Sequence, residues 1–411
     1  MAIPVAHDAD ARPAVICFAG CDWWYHNRGL FAPQVMTRLA REYKVLYVNS
    51  LGMRIPSLTK DRNAIKKIIR KLRSIGRFVR KVGNGMYVLS PVSLPFGSRL
   101  GRRINAYAVF LQVKLVSVLL GFKKPVVYIG CPPALEVAKR LRQGQFMIYE
   151  RTDLFEEMPG TDRAYISSLD DELTSSADLV LYVNNALYKQ GVSRNRNSLL
   201  IGHGVDFDLF AGSSESDYTP EDIASIRRPI IGFFGDISDK TSDMALLEFA
   251  AAKLPDMSFV LVGPVSADVS KLRKFTNVHF LGQKPYEQIP LYGKEFDVAI
   301  MPWNTNRWIE FCNPIKVKEY LALGKPVVST YYPEIEPYSD IVYVARDYDG
   351  FVTCILEAVR ERDPAKVQKR RERVRNETWD NKVEQIKAAI ERDLRRKATS
   401  NLQSAVQESP R

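Results

Sequence analysis

The sequence has few of the residues from which metal sites and disulfide frameworks are built. It contains five cysteines and four histidines in 411 residues, and the cysteines are scattered without paired spacing. Cys17 and Cys21 are four residues apart, but the histidines supply no second half of a zinc site. We therefore expect reduced thiols, as in a cytoplasmic protein, and no bound metal.

Three longer patterns are also missing. The N-terminus has acids at Asp8 and Asp10 and no apolar core, so it does not resemble a signal peptide. No G-x-G-x-x-G follows the first predicted strand, which argues against a dinucleotide cofactor, and we expect no other cofactor. Residues 104–122 approach the ~20 apolar residues of a membrane span, but polar residues interrupt them. We expect a buried helix there, or one that lies at an interface.

Acidic residues are nearly absent from one strongly basic stretch. The net charge is +12, and residues 60–81 hold ten lysines and arginines against a single acid, Asp61. Apolar residues recur among them at spacings near three and four, which predicts a basic amphipathic helix able to lie on an anionic membrane surface. We expect the inner-membrane contact to involve Lys66, Lys67, Arg70 and Lys71.

A solvated helix face is the other interpretation of this stretch. Nucleic acid is the competing partner, but no known nucleic-acid motif accompanies the basic residues, so we expect no nucleic-acid partner. The expected location is therefore cytoplasmic, peripheral on the cytoplasmic face of the membrane.

Short apolar strands alternate with helices in two blocks. This pattern predicts an α/β protein with two Rossmann-like domains that face a cleft. The predicted organisation is a flexible tail at 1–12, a first domain at 13–212, a polar linker at 213–228, a second domain at 229–378, a helix at 379–396 and a disordered tail at 397–411.

Two segments of the first domain are candidate acceptor and catalytic sites. The loop after the first strand contains Trp23, His26 and Arg28, which we expect to contact an acceptor, because ligands bind at the carboxyl ends of parallel strands. Exposed aromatic residues at a membrane interface are the rival explanation. Asp153 follows another strand and could act as a general base, or it is simply a helix cap or loop acid.

The segment from Asn313 to Ser329 predicts an anion-binding helix start. Asn313 can cap a helix, Pro314 is tolerated in its first turn, and Gly324 stands where a helix ends. The free N–H groups at such a start, together with Lys316, suit a phosphate. Glu319 lies one turn further and could bind the hydroxyls of a sugar. The alternative is an ordinary amphipathic helix with solvated lysines.

This segment, NPIKVKEYLALGKPVVS, resembles the nucleotide-sugar motif of GT-B glycosyltransferases, in particular family 4 and its relatives in bacterial polysaccharide synthesis. The resemblance implies that Glu319 binds the nucleotide ribose and that the preceding turn holds the diphosphate. It also implies that the last helix crosses back to the first domain. The donor-binding residues it suggests are Gly235, Lys240, Tyr286, Glu310, Asn313, Pro314, Ile315, Lys316 and Glu319.

The chain departs from the family pattern at two places. Phe311 stands where the family often has an earlier glutamate, and Glu310 lies one residue before it. Asp236 replaces an arginine that often follows the glycine at the position of Gly235. In inverting relatives an aspartate near the position of Asp153 acts as the base.

The resemblance implies a hexosyltransferase that needs no metal. It would move a sugar from a nucleotide-sugar donor, UDP-linked rather than GDP-linked, to a lipid-linked or saccharide acceptor in exopolysaccharide or cell-surface glycan synthesis. Two alternatives remain open at this point: a nucleotide-sugar epimerase on the same fold, and a non-catalytic scaffold bound to the membrane.

Overall fold

The computed structural model describes residues 12–26, 28–51, 69, 72–93, 98–142, 144–158 and 160–407, with the backbone alone for 397–407. The chain divides into two compact units. Unit 1 comprises the residues up to Gly202 together with those from Lys382 onward, and unit 2 runs from His203 to Asn381.

Unit 1 is built on one mainly parallel sheet. Among the described residues its strand order is β3-β4-β2-β1-β5-β6-β7-β8, and only β3 and β4 pair in the antiparallel sense. The strands are β1 (Ala14–Phe18), β2 (Lys44–Val48), β3 (Val79–Gly83), β4 (Met86–Leu89), β5 (Val126–Ile129), β6 (Met147–Arg151), β7 (Leu179–Tyr182) and β8 (Ser198–Leu200).

Helices follow most of these strands. Those of unit 1 are α1 (Phe31–Leu39), α2 (Arg99–Leu119), α3 (Leu135–Leu141), α4 (Arg163–Ser176) and α5 (Asn185–Gly191). The strands β1, β5 and β7 are buried at every position. This is expected for parallel strands that are covered on both faces, and it explains their unbroken apolar sequences.

Unit 2 contains a parallel sheet in the order β11-β10-β9-β12-β13-β14. Its strands are β9 (Ile230–Phe234), β10 (Ser258–Val262), β11 (Val278–Gly282), β12 (Val298–Met301), β13 (Val327–Thr330) and β14 (Tyr343–Ala345). Its helices are α6 (Phe207–Gly212), α7 (Glu221–Ala224), α8 (Met244–Lys253), α9 (Ile289–Gly293), α10 (Arg307–Glu310), α11 (Ile315–Ala322), α12 (Tyr348–Arg360) and α13 (Pro364–Val374).

The segment predicted as a linker, 213–228, lies inside unit 2. The division between the units falls earlier, between Gly202 and His203. Ser213 is buried and donates a hydrogen bond to the carbonyl of Phe210, and Ile223 on α7 is buried in the core of unit 2. The polar composition of residues 213–228 suggested a linker, but contacts with the rest of unit 2 make them part of that unit.

The last helix, α14 (Trp379–Gln407), continues to residue 407. This corrects the prediction of disorder over 397–407; residues 408–411 lie outside the described part of the chain. From Lys382 onward the helix belongs to unit 1. Ile386 and Ile390 are buried, and Asn197 donates a hydrogen bond to Asp393 at 2.7 Å.

The predicted basic helix at 60–81 is wrong at its C-terminal end. Residues 72–75 are helical, but Val79–Gly83 form β3, which pairs with β4 across a turn at Asn84 and Gly85. Asn-Gly favours such a hairpin turn, and Gly85 has a φ of +76°. Lys66, Lys67, Arg70 and Lys71 lie outside the described residues, as does the predicted tail up to residue 11.

The apolar segment 104–122 forms most of α2. Its valines Val109, Val113 and Val116 are buried, whereas Leu111 and Leu115 are exposed, so the helix is not buried as a whole. Within the described part of the chain, no helix combines the length and the apolar character needed to cross a bilayer.

Candidate functional site

The carboxyl ends of β9 and β10 in unit 2 carry two closely packed glycines. Gly235 has a φ of +146° and Gly263 a φ of +151°, values that only glycine adopts readily. A Cβ on Gly263 would lie 1.8 Å from the carbonyl oxygen of Gly235. A Cβ on Gly235 would lie 2.1 Å from Cε of Lys316. The Lys316 side chain therefore lies directly over the Gly235 backbone.

Lys316 comes from the first turn of α11. This helix begins after Pro314, whose side chain makes no capping hydrogen bond. Gly324, with a φ of +77°, follows its C-terminus as predicted. The Tyr320 hydroxyl accepts a hydrogen bond from the Phe234 N–H at 3.0 Å, which fixes α11 against the end of β9. The sequence of α11 thus brings a lysine and a helix start to the edge of the sheet.

Glu319 lies one turn further along α11 and is buried. Burial raises the pKa of its carboxyl group to about 7, while Lys316 and the nearby Tyr286 hydroxyl oppose the rise and Asp206 adds to it. Burial also lowers the pKa of Lys316, although Glu319 and Asp236 partly restore it. A carboxyl group, a lysine and a tyrosine therefore meet at this point of unit 2.

Asp236 and Lys240 complete the surroundings of Lys316. Both are exposed, and Asp236 accepts a hydrogen bond from the Ser266 hydroxyl at 3.1 Å. The residue as a whole is exposed, but its carboxyl group is partly withdrawn from solvent, and this raises the pKa of Asp236. The Ser266 hydroxyl, Lys316 and Lys240 counteract the rise. The two lysines that the sequence proposed for phosphate binding thus lie near the same carboxylate.

The other predicted donor residues have different surroundings. The side-chain amide of Asn313 donates a hydrogen bond to Glu334 at 2.7 Å. Asn313 does not cap α11, so the capping role expected for it is wrong. Pro314 is the residue before the helix, Ile315 is its first residue, and Glu310 is exposed at the end of α10.

Lys318 does not face the glycine turn. Its ammonium group is buried, donates to the carbonyl of His203, and forms an ion pair with Glu377 at 3.1 Å. It therefore holds α11 to the segments that flank Val205 and Thr378, two residues that form a β-bridge. Of the two lysines in this part of α11, only Lys316 is available for an anion near Gly235.

The loop after β1 in unit 1 is held by local contacts. Trp23 packs edge-on against Tyr47, with ring centroids 5.3 Å apart. Its backbone N–H donates a hydrogen bond to Asn49 Oδ1 at 2.8 Å. His26 is exposed, and its Nδ1 accepts the N–H of Asp22 at 2.9 Å. Arg28 is exposed in the same loop.

A buried polar network supports this loop, and sequence reasoning missed it. Its members are Asp22, Asn49, Ser74 and Ser90. The Ser74 hydroxyl donates to Asp22 at 2.8 Å, and the Asn49 amide donates to Ser90 at 2.8 Å. The four positions are far apart in sequence, so no local pattern indicated them.

Asp153 lies two residues beyond the end of β6, at the carboxyl edge where it was expected. Sequence reasoning missed its neighbour Glu150, which is buried on β6 with one carboxyl oxygen 3.3 Å from the place of a Cβ on Gly130. Burial raises the pKa of Glu150 to about 8, the nearby Tyr128 hydroxyl lowers it, and Asp153 raises it further. A glutamate at the end of the apolar run FMIYE was the available signal.

No cluster of three or more histidine, cysteine, aspartate or glutamate side chains suited to a metal ion occurs among the residues that the structure describes.

Residues 228–361 match the family model described as Glycosyl transferases group 1. This range contains Gly235, Lys240, Lys316 and Glu319. The matched range lies within the second unit. TuaH from Bacillus subtilis, provisionally assigned as a teichuronic acid biosynthesis glycosyltransferase, is 29% identical over 227 residues. The match spans 53% of this chain and 55% of TuaH, so the chain matches about half the length of this curated relative.

Solved structures resemble the chain over both units. Sucrose-phosphate synthase from Thermosynechococcus elongatus superposes with a TM-score of 0.69 at 15% identity, covering 95% of this chain and 100% of that one. HepE from Anabaena, solved in complex with UDP-glucose, gives a TM-score of 0.64 at 13% identity over 92% and 99% of the two chains. The predicted GT-B fold is confirmed.

Proposed function

We propose that the protein transfers a sugar from a nucleotide-sugar donor, UDP-linked rather than GDP-linked, to a membrane-linked or saccharide acceptor in exopolysaccharide or cell-surface glycan synthesis. The observation that carries the proposal is the position of Lys316 over the bare backbone of Gly235, at the start of α11 and one turn from Glu319. This arrangement matches the chemistry of a nucleoside diphosphate.

The diphosphate is the anionic part of such a donor. The first turn of α11 offers backbone N–H groups and the positive end of the helix dipole, and Lys316 adds a full charge. Gly235 allows a phosphate to approach the backbone closely. Glu319 accepts hydrogen bonds from the vicinal ribose hydroxyls when it is ionised.

Two of the comparisons support parts of this proposal. HepE is a structural neighbour that was solved with UDP-glucose, and this favours a uridine nucleotide. The assignment of TuaH to teichuronic acid biosynthesis favours a saccharide product. Neither relative indicates which sugar is moved.

The proposed chemistry divides between the units. Asp153 in unit 1 takes the proton from the attacking acceptor hydroxyl, and the loop with Trp23, His26 and Arg28 contacts the acceptor. Lys316 and the start of α11 in unit 2 stabilise the negative charge that develops on the departing diphosphate. In this proposal the helix start and lysines carry out the role that a metal cation has in other transferases.

Calorimetry with UDP and GDP tests the donor site. We expect UDP to bind more tightly than GDP. Lys316→Ala should weaken UDP binding about tenfold to a hundredfold, the scale of a hydrogen bond to a charged group. Lys271→Ala is the matched control, because Lys271 is an exposed lysine of the same unit. Equal affinity of the Lys316 and Lys271 variants would remove Lys316 from the site.

Turnover assays test the reaction. Release of UDP from a panel of UDP-sugars should require a lipid-linked or saccharide acceptor and should fall sharply in Asp153→Asn. Conversion of one UDP-sugar into another without acceptor would indicate an epimerase. Tight UDP binding with no turnover on any acceptor would indicate a scaffold.

A further inference from the structure

Helix α2 presents a line of large apolar side chains to solvent. They are spaced three or four residues apart and so lie on one face of the helix. Each is 49–69% exposed. This surface, the α2 stripe, consists of Leu100, Ile104, Tyr107, Leu111, Leu115 and Val118.

The α2 stripe is not required for the core of unit 1. The opposite face of the same helix buries Val109, Val113 and Val116, and α2 also contacts α3. A helix with one buried face normally has a polar face opposite it. Here the outer face is apolar as well, and six large side chains at this exposure form a patch of roughly several hundred Å², a size typical of binding surfaces.

A neighbouring segment extends the apolar surface. The Val92 N–H donates to the Gln112 side chain at 2.9 Å, and Gln112 donates back to the Val92 carbonyl at 3.0 Å. This pair of hydrogen bonds holds Val92 beside α2 with its side chain exposed. Tyr107 and Phe110 pack together on the helix, with ring centroids 6.0 Å apart.

The stretch of sequence that contains α2 has basic residues but no acidic ones. Residues 62–135 contain no aspartate or glutamate and fifteen lysines and arginines. The rest of the chain then has 44 basic and 47 acidic residues. The net positive charge of the whole protein therefore originates in this one stretch.

The exposed cations on α2 lie beside the stripe. At 100° per residue, Arg103 and Lys114 fall along one flank of the stripe, and Arg99 lies slightly further round. All three are exposed. Arg102 has a different role, because it pairs with Asp162 at 3.0 Å and stacks on Tyr165.

We propose that α2 lies on an anionic lipid surface, with the α2 stripe in the head-group region and Arg99, Arg103 and Lys114 against lipid phosphates. Apolar side chains with a basic flank are the combination that interfacial helices use, and Tyr107 is of a type enriched at membrane interfaces. The inference rests on the proposed function for its purpose, which is to bring the enzyme to a membrane-linked acceptor.

A second copy of the chain fits this surface less well. In a symmetric pair the same patch meets itself, and in the antiparallel arrangement the basic flank of one copy lies beside that of the other. Such juxtaposition of like charges opposes association. An anionic bilayer, in contrast, complements both the apolar and the charged parts of the surface.

Flotation of the full-length protein with vesicles tests the proposal. We expect binding to vesicles of phosphatidylcholine with phosphatidylglycerol and much weaker binding to phosphatidylcholine alone. The double variant Leu111→Ser with Leu115→Ser should bind the anionic vesicles at least about tenfold more weakly. Leu200→Ser with Leu394→Ser is the matched control, since both leucines are exposed in unit 1 outside α2. Circular dichroism and UDP affinity should be the same for all these proteins.

A site-specific probe reports whether α2 itself enters the lipid. Among the cysteines only Cys354 is not buried, so an environment-sensitive dye on Leu115→Cys in a Cys354→Ser background labels the stripe selectively. Its emission should shift to the blue on anionic vesicles, and the same dye on Leu200→Cys should not respond.

Three results would overturn the proposal. They are failure of the wild-type protein to bind anionic vesicles, equal binding by the stripe variant, and a wild-type dimer in light scattering that the stripe variant converts to monomer. The first result would mean that the protein does not bind the membrane, and the second that another surface does. The third would mean that the stripe is an interface between two copies of the chain. Sugar transfer to a soluble saccharide acceptor is measured separately, so the proposed function can stand or fail independently.

Discussion

Glu319 and Lys316 are three residues apart on α11, and their charges are linked. Burial would favour the neutral form of each group, yet each stabilises the charged form of the other. The carboxyl pKa of about 7 places the ionisation of Glu319 within the physiological range. Its capacity to accept two hydrogen bonds from a ribose therefore depends on pH.

Donor binding should consequently strengthen as the pH rises through 7. An ionised Glu319 binds a diol better than its protonated form, so UDP affinity in the wild-type protein should increase between pH 6 and pH 8, by up to about tenfold per unit below the pKa. Glu319→Gln should bind UDP more weakly than the wild-type protein at pH 8, and its UDP affinity should no longer change with pH. Glu319→Ala should reduce the free energy of UDP binding by about 1–3 kcal/mol.

Calorimetry across this pH range, with Glu372→Gln as an exposed control in unit 2, checks the prediction. A Glu319→Gln variant with the same pH profile as the wild-type protein would show that another group titrates.

Glu150 should make the stability of unit 1 depend on pH. Its pKa is raised from 4.5 to about 8 in the folded chain, so the folded state holds its proton more tightly than the unfolded state. The corresponding stability is complete below pH 4.5 and is lost as the pH rises toward 8, at up to about 1.4 kcal/mol per unit.

Glu150→Gln keeps the size of the side chain and cannot ionise. We expect the free energy of unfolding of the wild-type protein to fall between pH 5 and pH 8 relative to that of this variant, as measured by urea denaturation at several pH values. Parallel curves for the two proteins would show that Glu150 is not protonated in the folded state.

At the scale of elements, the turn after β9 brings Gly235 against the first turn of α11. Gly235 must keep a φ of +146° and must leave room for Lys316. Glycine meets both requirements because it has no side chain.

Gly235→Ala should therefore weaken stability and donor binding together. The methyl group would clash with Lys316 Cε and strain the backbone, and we expect a loss of about 1–3 kcal/mol in the free energy of unfolding, with weaker UDP binding because Lys316 is displaced. Gly212→Ala in the same unit is the control, since its Cβ would meet nothing within 4 Å. Thermal unfolding with and without UDP measures both effects, and unchanged UDP affinity in Gly235→Ala would separate this turn from the donor site.

At the scale of the whole molecule, the chain returns to unit 1 through α14. Val383, Ile386 and Ile390 are buried there, and Lys387 pairs with Glu42 at 2.7 Å. The last thirty residues, from Lys382, thus belong to a unit formed mainly by the first two hundred.

A core substitution in α14 should act on unit 1 alone. Ile386→Ala should lower the free energy of unfolding of unit 1 by about 2–5 kcal/mol, because it creates a buried cavity, and should leave UDP affinity unchanged. Ile355→Ala, in the core of unit 2, should instead lower the transition that UDP raises. Calorimetric scans with and without UDP distinguish the two, and a reduced UDP-sensitive transition in Ile386→Ala would contradict the division of the chain.

The sequence alone determined the α/β architecture, the two βα series and the helix that starts near Ile315 and ends before Gly324, because these depend on local periodicity and on the conformational properties of glycine and proline. It placed Gly235, Lys316 and Glu319 as candidates but could not show that they meet. Only the tertiary structure brought Lys316 over Gly235 and turned Lys318 toward His203, since neighbouring positions on one helix face different surroundings.

Other features depended wholly on long-range packing. The composition of residues 213–228 is typical of a linker, but contacts within unit 2 fix their position. The pKa of the Glu150 carboxyl depends on its burial and on Tyr128, which lies on another strand of the sheet. The α2 stripe gave an apolar pattern in the sequence that suits a buried helix. Its exposure was decided by which face the valines took into the core.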